Sequence, residues 1–152
     1  MKKVLGTVLL VGLAWIGYRA FTEWSAYRTY EGFAEAWTHG DKVEALKYGT
    51  EQAATHAIER RDLRGTRSGV IMEAFRGTRY SVKSRSRSSD GDVLLEVQET
   101  IFFDPPGVTT AIGGAMWTRF RHDATVRKTG EGWRVTSFDA TYLDMGEVRR
   151  QR

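Results

Sequence analysis

Residues 78–103 read TRYSVKSRSRSSDGDVLLEVQETIFF, two alternating segments on either side of Asp90-Gly91. An Asp-Gly pair in this position is typical of a two-residue β-hairpin turn. Such a turn pairs Ser89 with Asp92, and the register of the whole hairpin follows from it. On the solvent-exposed face, the resulting pairs are Arg85 with Glu96 and Lys83 with Gln98. On the other, mostly buried face, they are Val82 with Glu99 and Tyr80 with Ile101.

A second hairpin is predicted further along the chain, with strands at about 115–128 and 133–143. Its turn is Thr129-Gly130-Glu131-Gly132, which pairs Lys128 with Trp133. Continuing the pairing without interruption matches Val126 with Val135, Ala124 with Ser137 and His122 with Asp139. The two hairpins together indicate a long antiparallel meander.

Helices are predicted before the sheet. Residues 19–39 carry apolar side chains at helical spacing, and Gly40 is a natural stop. Asp41 to Glu44 form a capping box for a helix over 42–48, and Thr50 caps a third helix that runs to about Leu63. Helices followed by antiparallel strands favour an α+β fold in which the helices cover one face of a curved sheet.

A family resemblance rests on Phe33-Ala34-Glu35-Ala36-Trp37-Thr38-His39-Gly40-Asp41, then Ala45-Leu46, with two hairpins behind them. This layout resembles the nuclear-transport-factor-2-like (NTF2-like) superfamily, the cone fold shared with ketosteroid isomerases and SnoaL-type cyclases. The resemblance covers about residues 27–145. It implies a pocket between the long helix and the sheet, which different members use for ligand binding, isomerisation, dehydration or assembly.

Polar residues on the predicted inner face make a candidate pocket. Asp139 opposite His122 could orient the imidazole as a general base, and Glu99 in an apolar wall could act as an acid. The alternative is a structural cross-strand pair, with Glu99 hydrogen-bonded near the open end. The acidic residues and tyrosine that isomerases of the superfamily use cannot be placed here one by one. The candidate pocket residues are Tyr30, Trp37, Tyr80, Glu99, His122 and Asp139.

The N-terminus has a different character. Met1-Lys2-Lys3 precedes an almost unbroken apolar run from Val4 to Tyr18. Bulky residues follow the run, and no A-x-A cleavage pattern is present, so we expect an uncleaved membrane anchor. A cleaved signal peptide and a buried core helix are the alternatives. The expected organisation is an anchor at 1–26, an NTF2-like domain at 27–145 and a basic tail at 146–152. The anchor residues are Val4, Leu9, Leu13, Trp15 and Tyr18.

Charge around the apolar run predicts its orientation. Lys2 and Lys3 precede it, whereas the arginines that follow are offset by glutamates. The positive-inside rule then places the N-terminus in the cytoplasm. We expect a single-pass protein of the bacterial inner membrane with a periplasmic domain.

Composition narrows the classes of partner. The chain has no cysteine and three histidines, and its net charge is +4. Thiolate metal sites are excluded, and no H-x-x-x-H spacing occurs. The basic strand around Arg85 lacks the interleaved aromatic residues of a nucleic-acid platform. We expect no cofactor, no metal and no nucleic-acid partner.

Aromatic residues also fall on the predicted outer face of the sheet, interspersed with arginines. That composition is enriched in interfaces and indicates a protein partner or a homodimer. The residues are Phe102, Trp117, Phe138 and Tyr142. Taken together, the sequence favours a non-enzymatic, membrane-anchored assembly or accessory subunit of a membrane protein complex. The alternative is a small-ligand-binding or isomerase/dehydratase-like pocket protein that uses Glu99, His122 and Asp139.

Overall fold

A computed structural model describes residues 2–61, 75–104 and 115–148, with side chains from residue 12 onward. The strands form one antiparallel sheet in the order β1-β2-β3-β4, so the predicted α+β class and element order are confirmed. Leu63 and residues 149–152 of the predicted tail lie outside the described residues. The elements are α1 (Lys2–His39), α2 (Lys42–Tyr48), α3 (Glu51–Glu59), β1 (Phe75–Arg87), β2 (Val93–Phe103), β3 (Met116–Thr129) and β4 (Gly132–Glu147).

Helix α1 packs on the sheet through the part that starts at Thr22. Buried side chains begin at Thr22 and recur every three or four residues to Thr38, which places them on one stripe of the helix. The stripe contains Ala26, Tyr30, Phe33, Ala34 and Trp37, which form the core with the inner faces of β2, β3 and β4. The predicted amphipathic helix therefore supplies one wall of the core.

The end of α1 is fixed by a glycine. Gly40 has φ +70°, the left-handed region in which glycine avoids a steric penalty. Its N–H donates to the Trp37 carbonyl, and the Asp41 N–H donates to the Ala36 carbonyl, which is a Schellman arrangement. The Asp41 side chain then accepts from the Glu44 N–H and begins α2.

The first hairpin differs from the predicted register. Its loop has three residues, because Ser88 and Asp92 form the closing pair and Gly91 takes φ +85°. A bulge at Lys83 then shifts the pairing by one more residue. Tyr80 consequently lies opposite Glu99, and Val82 lies opposite Val97. The observed partner of Arg85 is Leu95. Arg85 therefore lies on the face that α1 covers and not on the predicted solvent-exposed face.

The second hairpin also contains a bulge. Lys128 pairs with Trp133 and Val126 with Val135, as predicted, but Thr136 is then extra on β4. Beyond this point, Ala124 faces Phe138 and His122 faces Ala140. A one-residue slip exchanges the two faces of a strand. The predicted pairing of His122 with Asp139 is therefore wrong.

Two of the predicted outer-face aromatic residues lie inside for the same reason. Phe138 is buried against Phe33, Trp37 and the His122 ring. Tyr142 is half-buried and packs edge-on against Phe120. The prediction that they belong to an outer interface is corrected by the bulge at Thr136.

Candidate functional site

Two ionisable side chains lie in the centre of the fold. Residues of β2 alternate between buried and more exposed, and Glu99 is on the buried face with Val97 and Ile101. His122 is on the buried face of β3, next to Phe120. Glu99 and His122 both have 0% exposure. The sequence correctly placed them on the inner face, although their role stays a prediction.

A chain of polar contacts joins these residues to α1. The Tyr30 hydroxyl lies 2.8 Å from His122 Nδ1, and His122 Nε2 lies 3.1 Å from Glu99 Oε2. The Thr38 hydroxyl is 2.7 Å from Glu99 Oε1 and 2.9 Å from the Ala34 carbonyl. Because a threonine hydroxyl has one proton, it can donate to only one of these last two oxygens at a time.

The Tyr30 phenol stays protonated in the core. Burial raises the pKa of this tyrosine far above its usual range, and the nearby Glu99 carboxylate raises it further. Its hydroxyl can donate to His122 Nδ1 or accept from it, according to the tautomer of the imidazole. The second imidazole nitrogen, Nε2, faces Glu99.

Several polar atoms of this cluster lack a partner of good hydrogen-bond geometry within the described ranges. Glu99 Oε2 and His122 Nε2 are close to each other but poorly aligned. Tyr80 lies opposite Glu99 on β1, and burial raises the pKa of its phenol as well. Such unpaired groups are costly in a core. The unpartnered atoms are Arg61 Nε, Tyr80 Oη, Glu99 Oε2, Thr118 Oγ1 and His122 Nε2.

Thr38 and Arg61 are members of this cluster that the sequence analysis did not select. Thr38 is four residues after Ala34 on the buried stripe of α1, so the helical period could have identified it. Arg61 follows α3 and donates to the Thr38 carbonyl. Burial lowers the pKa of this guanidinium. No pattern in the sequence connects Arg61 to the cluster.

Aromatic side chains fill the space around the His122 imidazole. Trp37 stands edge-on to it at 5.1 Å between ring centres, and Phe138 lies at 4.8 Å. A groove of about 500 Å³ lies instead beside α1, where Glu31, Tyr48 and Tyr80 form part of its walls. The expected pocket residues Tyr30, Trp37, Glu99 and His122 are thus packed together as a solid core.

Asp139 lies on the opposite face of the sheet. It is exposed and directly faces Asp123, which in turn faces Glu96 on β2. These three carboxylates form a row across the strands. No cluster of ligands suited to a metal ion occurs in the part of the chain that the structure describes. Because Asp139 is on the opposite face from His122, the prediction that it orients the His122 imidazole is wrong.

The outer face retains two of the four predicted interface residues. Phe102 and Trp117 are half-buried neighbours on β2 and β3. The Trp117 ring lies over Gly146, where a Cβ would be only 2.6 Å from it, and Arg119 stacks on the ring at 4.5 Å. Arg119 also forms an ion pair with Asp144. Local contacts thus hold Trp117 flat against the sheet.

The first half of α1 has large apolar side chains without a protein environment. Those at Leu13, Trp15, Ile16, Tyr18 and Phe21 are 59 to 65% exposed. Side chains of the expected anchor residues Val4 and Leu9 lie outside the described residues. Within the described residues, no helix combines the length and the hydropathy of a membrane span.

Comparisons with known proteins give little. No protein-family model and no curated protein matches the chain. A crystal structure from Novosphingobium aromaticivorans, described as "a putative aromatic ring hydroxylase", is 13% identical, with 85% of this chain and 94% of that chain covered and a TM-score of 0.49. A likeness of this degree carries no argument about what this chain binds or does.

Proposed function

We propose that this chain is a membrane-tethered, non-catalytic domain of the NTF2-like kind that acts as an accessory or assembly subunit of a membrane protein complex. The observation that carries the proposal is the division of α1. Its second half forms the core, whereas its first half exposes Leu13, Trp15, Ile16, Tyr18 and Phe21. The two halves of α1 thus suit different surroundings, the protein core for the second half and an apolar medium outside the domain for the first.

The exposed side chains surround the helix instead of forming one stripe. Leu13 and Ile16, three residues apart, are neighbours on one face, whereas Trp15, Tyr18 and Phe21 fall on other sides of the helix. A helix that is apolar on all sides is stable in apolar surroundings, and large exposed apolar surfaces mark interaction sites. Trp15, Tyr18 and Trp24 are the residue types that favour the boundary between lipid and water.

The proposed orientation of the helix in the membrane follows from the charges at the start of the same stretch. The basic Lys2 and Lys3 precede the apolar run, so the proposal keeps the N-terminus in the cytoplasm and the domain in the periplasm of a bacterial inner membrane. A helix of about 20 residues crosses the hydrocarbon layer. A span that begins at Val4 would end near Glu23, where the buried stripe of α1 begins.

The packing of the core supports a non-catalytic role. A general base must reach a proton of its substrate, either directly or through one water molecule. His122 and Glu99 have no solvent exposure, and they contact each other, Tyr30 and Thr38. Their contacts are those of a structural network that joins α1 to the sheet.

Fractionation of cells that express the tagged full chain tests the tether. The wild type should remain in membranes after a carbonate wash, and Leu13→Glu with Ile16→Glu should release it into the soluble fraction. The control is Val43→Glu with Leu46→Glu, which alters two exposed apolar residues of α2 and should stay in membranes. Recovery of wild type in the wash would overturn the tether, and a monomer in detergent without co-purifying protein would overturn the assembly role.

A second candidate, a small-ligand pocket, is favoured by the buried Tyr80 and Thr118 hydroxyls, which have no hydrogen-bond partner within the described ranges and lie on the face of the sheet that carries Glu99. A small polar molecule could satisfy these atoms. Native mass spectrometry of the purified chain tests this. A bound molecule that Tyr80→Phe loses, and that Tyr27→Phe retains, would support the pocket. A ligand-free wild-type chain would contradict it.

A further inference from the structure

A basic cleft lies where the end of β1 meets α1. It has a volume of about 240 Å³ and is lined by Arg19, Glu23, Arg85, Ser86, Arg87 and Val93. Three guanidinium groups thus share the cleft with one carboxylate. The excess of positive charge makes the cleft complementary to an anion.

Two of these arginines lie between the Lys83 bulge and the three-residue loop of the first hairpin. Arg85 and Arg87 are opposite Leu95 and Val93 there, on the face that α1 covers. Arg85 Nη2 is 3.1 Å from Glu23 Oε2, and Arg87 Nη2 is 3.3 Å from Thr22 Oγ1. These contacts anchor one edge of each guanidinium and leave other N–H groups for a ligand.

The third arginine lies one turn earlier on α1. The guanidinium of Arg19 stacks over the Trp15 ring at 4.9 Å, and no carboxylate pairs with it among the described residues. Arginine binds phosphate oxygens with two parallel N–H groups, which makes it well suited to phosphate recognition. A phosphate in the cleft could contact groups from both α1 and β1.

The position of the cleft along α1 selects the source of the phosphate. A hydrocarbon layer of about 30 Å takes up about 20 helical residues, so a span that starts at Val4 ends close to Glu23. Lipid headgroups would surround the turn of α1 from Arg19 to Glu23. This turn is also one wall of the cleft.

We propose that the cleft binds the phosphate of an anionic lipid headgroup in the leaflet next to the domain. The inference rests on the membrane tether proposed above and adds a specific lipid contact to it. The contact would fix the tilt and rotation of the domain on its membrane, because Arg85 and Arg87 belong to the sheet and Arg19 to the tether.

The test uses the full chain in detergent with equal amounts of phosphatidylglycerol and phosphatidylcholine, and native mass spectrometry measures the ratio of the two lipids retained. Wild type should retain phosphatidylglycerol preferentially. Arg85→Gln with Arg87→Gln should lower this preference by about thirty-fold, since each arginine near an anionic headgroup contributes about five-fold and two factors of five multiply to roughly that value. Arg85→Lys with Arg87→Lys should keep part of it.

The matched control is Arg79→Gln with Arg121→Gln, which removes the same charge from the outer face of the sheet. It should retain the wild-type ratio within about two-fold, because bound phosphate contacts only nearby guanidinium groups. An equal loss in the control, or no preference in wild type, would overturn the cleft. A preference that millimolar inorganic phosphate abolishes would assign the site to free phosphate and overturn the lipid assignment.

The fractionation experiment separates this inference from the tether on which it rests. If wild type stays in membranes and retains both lipids equally, only the cleft assignment is wrong. If the carbonate wash releases wild type, the tether is wrong, and with it the assignment to a membrane lipid. Circular dichroism of each variant must match that of wild type for its lipid ratio to be compared.

Discussion

The Tyr30 hydroxyl lies 2.8 Å from Nδ1 of His122 and joins the middle of α1 to the inner face of β3. Tyr30 retains its proton, since burial raises its pKa. The other imidazole nitrogen, Nε2, lies 3.1 Å from Glu99 Oε2. The Tyr30 hydroxyl thus couples the placement of the helix to the Glu99–His122 contact, and the Thr38 hydroxyl does the same from the Glu99 side.

Removal of that hydroxyl should destabilise the fold. In Tyr30→Phe, the Nδ1 of His122 loses its partner in a buried site, which costs about 1–3 kcal/mol of the free energy of unfolding. Urea denaturation in detergent, followed by circular dichroism, measures it. The control is Tyr27→Phe, one turn earlier on α1 and only half-buried, which should change stability by less than about 0.5 kcal/mol. Equal losses in the two variants would show that the His122 bond is not specially stabilising.

The end of α1 offers a second prediction. In Gly40→Ala, the new methyl group would sit at φ +70° and about 2.7 Å from Arg61 Nη1, so we expect a loss of about 1–2 kcal/mol in the free energy of unfolding. Gly130→Ala is the control, because nothing lies within 4 Å of its added Cβ. The same denaturation assay compares them. A neutral Gly40→Ala would mean that the Schellman turn tolerates a side chain.

The elements of the fold were predictable because their signals are local. The helical stripe from Tyr30 to Trp37, the Gly40 stop and the Asp41 cap each depend on residues within a few positions of one another. The alternation of β2 likewise placed Glu99 on the inner face. Such local patterns can be interpreted from the sequence without knowledge of distant contacts.

The register could not be predicted because bulges carry little local signal. The extra residue Thr136 moved Asp139 outward and Phe138 inward, and the three-residue loop of the first hairpin placed Arg85 on the face that α1 covers. In that hairpin, the longer loop and the Lys83 bulge each shifted the pairing by one residue in the same direction. The total shift beyond Lys83 is two residues, which changes the partners but returns Tyr80 and Glu99 to their predicted face.

The tip of the first hairpin should make stability depend on pH. Arg127 donates to the buried Asp92 carboxylate, and this bond lowers the pKa of Asp92 below its ordinary 3.8. A carboxylate with a lowered folded pKa adds stability above the unfolded value and loses it as pH falls through the folded value. The contribution should therefore be complete at neutral pH and disappear in acid.

Arg127→Gln tests that dependence. Its stability deficit relative to wild type should be largest near pH 7 and should shrink progressively below about pH 4, as Asp92 is protonated first in the unfolded chain and in the variant, and at lower pH in folded wild type. Urea denaturation at several pH values gives the deficit. Arg76→Gln, which breaks an exposed pair with Asp104, should show a smaller deficit at neutral pH. A deficit in Arg127→Gln that stays constant from pH 7 to pH 3 would rule out the Asp92 linkage.

The carboxylate row on the outer face predicts a stabilising substitution. Asp139 lies directly opposite Asp123, and like charges in such cross-strand positions repel each other. Asp139→Asn should therefore raise the free energy of unfolding by about 0.2–1 kcal/mol. Added salt should make this increase smaller, because it screens the repulsion between the two carboxylates in wild type. Urea denaturation at low and high salt measures both effects. Glu131→Gln removes the same charge from an ion pair with Arg134 and should give no gain. If the two variants gain equally, the benefit comes from net charge and not from the facing pair.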